Sequence, residues 1–155
     1  MKRRFQILGS ACGAKIVDDY AHHPTEVQAT LKAAKEVINS ADKGRVVAIF
    51  QPHCYTRLQN FWNEFVNSFN NADLVYVCDV YSAGDKPIDN INSERLSKEI
   101  KNANVTYVPG PIERVADVIC PNIKPDDLVL TIGAGDITKL GHIIIEKMGL
   151  DRVLA

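Results

Sequence analysis

The chain has 155 residues, 46% of them hydrophobic and 24% charged, which excludes a disordered, collagenous or coiled-coil chain and fits one globular domain burying about 70% of the surface its unfolded form exposes. Eighteen Lys and Arg against nineteen Asp and Glu leave a formal charge of -1, which gives no general nucleic-acid or anionic-membrane surface, so the expected partners are small molecules. No apolar stretch approaches the roughly 20 residues of a membrane helix, and Lys2-Arg3-Arg4 runs into a polar segment rather than a signal-peptide core, so a cytoplasmic setting is expected.

Short apolar runs alternate with helical periodicity along the chain, the pattern of an α/β fold with a mostly parallel sheet. Residues 4–8 predict an edge strand that turns back through Gly9 to Gly13, and residues 15–18 a buried strand. Val27, Leu31, Ala34 and Ile38 then share one helical face behind Pro24, a residue suited to a first helical position, as Pro111 is further on. After a strand at 45–50, Leu58, Phe61, Trp62, Phe65 and Phe69 predict one core helix. Its aromatic stripe reads as packing rather than as a base-stacking or partner surface. A strand at 74–78, a shorter helix at 93–100, a strand at 105–108 and a helix through Ile112, Val115 and Ile119 follow. A strand at 128–132 and a helix through Ile137, Leu140, Ile144 and Met148 complete the pattern. The strands are rich in β-branched residues with little polar alternation, as burial on both faces requires. The expectation is a three-layer α/β domain spanning 1–155, with about six strands, one antiparallel edge strand and helices on both faces. Cys12, Cys54, Cys78 and Cys120 are scattered without a C-x-x-C pair, and read as reduced thiols.

Ligands of open parallel sheets bind beyond the carboxyl ends of the strands, and the segments that follow these strands are polar. They are Asp18-Asp19-Tyr20-Ala21-His22-His23-Pro24, Gln51-Pro52-His53-Cys54-Tyr55-Thr56-Arg57, Asp79-Val80-Tyr81-Ser82-Ala83-Gly84-Asp85 and Gly133-Ala134-Gly135-Asp136. Three of the four histidines lie in two of these turns, directly before helices. A neutral imidazole accepts a proton or bonds a carboxylate, a guanidinium such as Arg57 grips a carboxylate through two N–H bonds, and Asp19 can orient a histidine or a hydroxyl. The set suits an amino acid or another small acid. Alternatives stand beside several of these residues. His23 is a helix cap or a ligand contact, Asp18 a strand-end cap or solvated group, and Tyr55 a ring packed on the sheet edge or a binding residue. Arg57 pairs with Glu64 or with a ligand. Gly133, Gly135 and Asp136 form a possible anion-binding turn, but Thr138 occupies the third glycine position of a dinucleotide fingerprint. His22, His53 and Asp19 lack the spacing of a metal motif, so no metal is expected.

The segments Asp18-Asp19-Tyr20-Ala21-His22-His23-Pro24-Thr25-Glu26, Phe50-Gln51-Pro52-His53-Cys54-Tyr55-Thr56-Arg57, Tyr81-Ser82-Ala83-Gly84-Asp85-Lys86-Pro87-Ile88 and Gly133-Ala134-Gly135-Asp136-Ile137 resemble, in order and spacing, the C-terminal domain of the Mur ligases. They are most similar to the branch that joins L-alanine to UDP-N-acetylmuramic acid in peptidoglycan precursor synthesis. Lys2-Arg3-Arg4-Phe5-Gln6 resembles that family's junction with its central domain. The resemblance implies a Rossmann-like domain cut from a three-domain bacterial enzyme, whose N-terminal UDP-binding and central ATPase domains are absent from this chain. No G-x-x-x-x-G-K-[ST] loop occurs in it, so ATP and Mg2+ are expected mainly on the central domain.

By the same resemblance, an acyl phosphate of the sugar's lactyl carboxylate is attacked by the alanine amine. His53 and Arg57 then hold the alanine carboxylate, Tyr20, His22 and Tyr55 line the pocket, Asp19 and His23 lie toward the nucleotide, and His22 is the candidate acceptor of the amine proton. The isolated domain is expected not to turn over. One departure is Cys54, where many relatives carry arginine, which leaves Arg57 as the single cation of its loop. Competing readings are the related ligase that recycles murein tripeptide, a stand-alone Rossmann-like binding module, and a metal-dependent hydrolase.

Overall fold

The computed structural model describes residues 4–102 and 104–154, without the side chains of 150–154; Lys2 and Arg3 of the junction motif lie outside the described residues. Six strands, β1 (Gln6–Ala11), β2 (Ala14–Asp19), β3 (Val46–Phe50), β4 (Leu74–Cys78), β5 (Val105–Val108) and β6 (Leu128–Ile132), form one sheet in the order β1-β2-β6-β3-β4-β5. All neighbours are parallel except β1 and β2. These two form a hairpin in which Ala11 faces Ala14 across Cys12 and Gly13, both with positive φ (49° and 88°). That is the two-residue turn whose twist matches the flanking strands. The edge strand therefore runs through Gly9 to Ala11, where the sequence predicted it to have turned already; Gly9 pairs with Ile16, and the register shift between Ile7 and Gly9 leaves Leu8 as the extra residue.

The parallel strands carry apolar residues toward both faces, and a separate core lies on each. Helix α1 (Pro24–Ala41), the short helices α2 (Tyr55–Asn60) and α3 (Trp62–Val66), and α4 (Ser93–Glu99) pack Leu31, Leu58, Phe65 and Leu96 on Ala48, Phe50, Val77 and Leu130. On the opposite face, α5 (Ile112–Ile119) and α6 (Leu140–Leu154) pack Val115, Ile119, Leu140 and Ile144 on Ile16, Ile49 and Val129. Three layers follow from this two-sided burial. No helix among the described residues is long and apolar enough to cross a membrane. Cys78 is buried in the second core and its thiol is pushed up to about 12 by that burial.

Two sequence expectations need correction. The helix predicted through Leu58 and Phe69 is broken at Phe61 (φ -118°, ψ 27°), which leaves the Phe61 ring exposed rather than in the core. The two halves have different anchors. Thr56 gives its N–H and hydroxyl to Asp85 of the loop after β4, while Trp62 donates to Glu99 and lies under Arg95. Pro111, expected inside its helix, is the N-cap of α5 instead.

Candidate functional site

The parallel strands β2, β3, β4 and β6 end at one edge of the sheet, and the four polar turns meet there, tied by backbone bonds. Gly133 N–H donates to the Asp19 carbonyl (3.1 Å), Gln51 N–H to the Ile132 carbonyl (3.0 Å) and Tyr81 N–H to the Pro52 carbonyl (2.9 Å). Beneath the surface, Asp18 accepts from the hydroxyls of Thr131 (2.8 Å) and Thr138 (3.0 Å). It is buried, not the solvated strand end that was one of its readings.

Asp19 is also buried and shapes the loop. Its carboxylate accepts from the N–H groups of Phe5 (2.9 Å) and Ala21 (2.8 Å), fixing the turn that presents Tyr20, His22 and His23. Glu26 completes that turn by accepting from the N–H groups of His22 (3.2 Å) and His23 (3.1 Å) while pairing with Arg4 (2.9 Å). This carboxylate of the first helical turn sits where the helix N-terminus favours negative charge. Burial pushes its pKa up, but the two N–H bonds, His22 and Arg4 together hold it below the ordinary 4.5.

On this frame the rings assemble. The His22 imidazole is 6.0 Å from that of His53 and 5.3 Å from that of His23, and meets Tyr20 edge-on at 5.0 Å. His23 meets Phe61 edge-on at 5.5 Å. His22 Nδ1 lies 3.0 Å from the Tyr20 carbonyl. A carbonyl only accepts, so in the neutral ring the hydrogen sits on Nδ1 and Nε2 keeps its lone pair. Burial, with Arg57 and His22 nearby, holds the His53 pKa below 6.5. His53 Nδ1 is buried with no hydrogen-bond partner among the described residues.

The Arg57 guanidinium donates to the His53 carbonyl at 3.4 Å and pairs with no carboxylate among the described residues, Glu64 included. It borders a depression with His23, Cys54, Phe61, Gly84 and Asp85. Cys54 caps α2 with φ 68° and ψ 135°, a conformation that costs a non-glycine residue energy.

Of the residues singled out in the sequence, Tyr20, His22, His23 and His53 form one cluster of rings, which Arg57 joins through the His53 carbonyl; His23 and Arg57 also border the depression. Tyr55 does not: its ring packs against the core on the α1 face. In the Gly133–Asp136 turn, the Asp136 carboxylate accepts from Gln51 Nε2 (2.7 Å), and a β-carbon on Gly135 would stand 2.5 Å from Tyr81 Cγ and 2.6 Å from Gln51 Oε1. The space beside that glycine is filled by protein. Tyr81, whose ring stacks on His53 at 5.5 Å, had no role in the sequence reading; its place at a strand's carboxyl end was the available signal. No group of three His, Cys, Asp or Glu side chains able to hold a metal occurs among the described residues.

A family model described as the Mur ligase glutamate ligase domain matches residues 3–135. The UDP-N-acetylmuramate–L-alanine ligase of Mycobacterium sp. (strain JLS) is 45% identical over 148 residues, which cover 96% of this chain and 30% of that protein. Its counterpart from Brucella anthropi is 46% identical over 151 residues, 96% of this chain and 31% of that protein. The crystal structure of the UDP-N-acetylmuramate-alanine ligase from Thermotoga maritima superposes with a TM-score of 0.73 at 28% identity, over 96% of this chain and 30% of that one. The chain thus spans about 30% of the length of the relatives it matches.

Proposed function

The chain belongs to the Mur ligase family, and on that premise we propose that it is the C-terminal domain of a UDP-N-acetylmuramate:L-alanine ligase, the part of the enzyme that receives L-alanine. The observation that carries the reading is the 45% identity, over 96% of the chain, to proteins of that name. The UDP-sugar and ATPase domains are assigned to the rest of a longer protein, in the bacterial cytoplasm where ATP and the UDP-linked sugar are found.

The donor set at this edge does not fit a metal, because the Asp19 carboxylate is already engaged by two backbone N–H groups and Asp18 by two hydroxyls. Mg2+ and the ATP phosphates are therefore assigned to the other domains, where ATP supplies the phosphoryl group that activates the sugar's lactyl carboxylate. Asp19 and His23, expected toward the nucleotide, act in this reading through the loop they shape.

Within this chain the chemistry concerns alanine. Arg57, with no carboxylate of its own, grips the alanine carboxylate through its planar fork. His53, kept neutral, donates to the same carboxylate from Nε2. Tyr20 closes the side of the pocket. The alanine amine attacks only as the free base, and His22 Nε2 takes its proton while the Tyr20 carbonyl holds Nδ1. The resulting imidazolium is favoured by the Glu26 carboxylate, 3.7 Å from Nδ1. The amine nitrogen then bonds the acyl carbon and inorganic phosphate leaves.

The test is turnover of UDP-N-acetylmuramic acid, L-alanine and Mg-ATP by the full-length parent, beside its Arg57→Ala variant. We expect wild-type turnover and a KM for L-alanine raised at least about tenfold in the variant. Turnover with murein tripeptide and none with L-alanine would reassign the chain to the recycling ligase, and silence with both would leave a binding module.

A further inference from the structure

Tyr81 is exposed over 38% of its surface, yet several features fix its place. Its backbone bridges that of the His53 loop: Tyr81 N–H donates to the Pro52 carbonyl and Cys54 N–H to the Tyr81 carbonyl, both at 2.9 Å. Its ring lies 5.5 Å from the His53 imidazole at an interplanar angle of 26°, a stacked arrangement. Beside it stands Gly135, whose missing β-carbon leaves the space that Tyr81 Cγ occupies. Three turns from three strand ends thus converge on one ring pair. The Tyr81 hydroxyl bonds to no described residue, so the ring itself makes the interaction.

We infer that Tyr81 is a positioning residue for His53: seated beside Gly135, its ring holds the imidazole in one orientation and keeps water from one face, so that Nε2–H points at the carboxylate of the bound amino acid. The inference rests on the reading of this edge as the alanine pocket. Stacking on an aromatic face fixes a ring in angle and position while leaving its edge open for hydrogen bonds, which suits a residue that must meet a small ligand. Holding the donor in place before the ligand arrives lowers the ordering cost of binding, so losing the ring should weaken binding more than turnover. Among the described residues, Arg57 and His22 are the charged or titratable groups that act on His53, and Tyr81, itself titratable, stacks on one face of its ring.

Two measurements test this. In this chain, nitrogen-detected NMR titration of the histidines follows His53. Tyr81→Ala is expected to move its midpoint upward toward the ordinary imidazole value of about 6.5 as water reaches the ring, while Tyr81→Phe stays at wild type. In the full-length parent, Tyr81→Ala is expected to raise the KM for L-alanine about tenfold with kcat within about twofold, and Tyr81→Phe to restore it. Gly135→Ala, which displaces the ring, should shift His53 in the same direction as Tyr81→Ala. An unchanged His53 midpoint and an unchanged alanine KM in Tyr81→Ala would overturn the inference. Equal losses in Tyr81→Phe and Tyr81→Ala would overturn it too, by moving the effect to the hydroxyl. A parent that ignores L-alanine while His53 still shifts refutes the alanine reading and upholds the pairing; alanine turnover without a shift does the reverse.

Discussion

At the scale of single residues, the site divides into groups that reach outward and groups that hold them. Asp18, Asp19 and Glu26 spend their oxygens on hydroxyls and backbone N–H groups, while His22, His53 and Arg57 keep ring or guanidinium N–H groups and lone pairs for a ligand. The division assigns different kinetic signatures to neighbours. His22→Gln keeps a polar side chain of similar reach but loses the base, so kcat in the full-length enzyme is expected to fall by about 10²- to 10⁴-fold with the alanine KM little changed. Arg57→Ala is expected to show the opposite pattern. Steady-state kinetics of both variants separates them, and a His22→Gln enzyme with wild-type kcat would move the proton acceptor elsewhere.

At the scale of elements, the β1–β2 hairpin shows how much depends on two residues. Cys12 and Gly13 both occupy positive φ, where a β-carbon is disfavoured. Gly13→Ala is therefore expected to lower stability by more than about 1 kcal/mol, and Cys12→Asn, a residue that tolerates this turn, to preserve or raise it. Urea midpoints of the two variants decide. The strands were legible in the sequence because two-sided burial writes itself as unbroken runs such as Val46 to Phe50, and the histidine turns because strand-end position and residue type are both local. The break at Phe61 was not legible. Leu58, Phe61, Trp62 and Phe65 keep helical spacing across it, and what bends the chain are bonds from Thr56 to Asp85 and from Trp62 to Glu99. The stack of Tyr81 on His53 was hidden for the same reason, since it joins residues 28 positions apart in the chain. Gly135 reads in the sequence as part of a possible anion-binding turn, and the contact of Tyr81 with it was not legible there, because a glycine beside a ligand and one beside a tyrosine ring look identical in sequence.

For the molecule as a whole, the site carries a cost on acidification. His53 is held below 6.5 by burial, Arg57 and His22. Its contribution to stability is complete above that value and is lost as pH falls through the folded pKa, because the unfolded chain takes the proton first. Glu26 and Asp85, held below their ordinary 4.5 and 3.8, lose their contributions in a second, lower window. Stability is thus expected to be flat from neutrality to about pH 8.5, to decline below about pH 6.5 and to fall again below about pH 4.5; above about pH 8.5 it declines as the unfolded chain ionises the thiol that burial keeps protonated at Cys78. The decline that begins below about pH 6.5 should disappear in His53→Gln, as chemical denaturation across pH would show. Sheet order has a consequence of another kind, for the nascent chain on the ribosome. The strand that sits between β2 and β3 is β6, the sixth to be made. More than a hundred residues separate the end of β2 at Asp19 from the start of β6 at Leu128, roughly ten seconds of synthesis. Throughout that interval β2, joined by β3 once residues 46–50 are made, waits with a facing edge unfilled, the period in which this polypeptide is most open to chaperones and to pairing with the wrong strand.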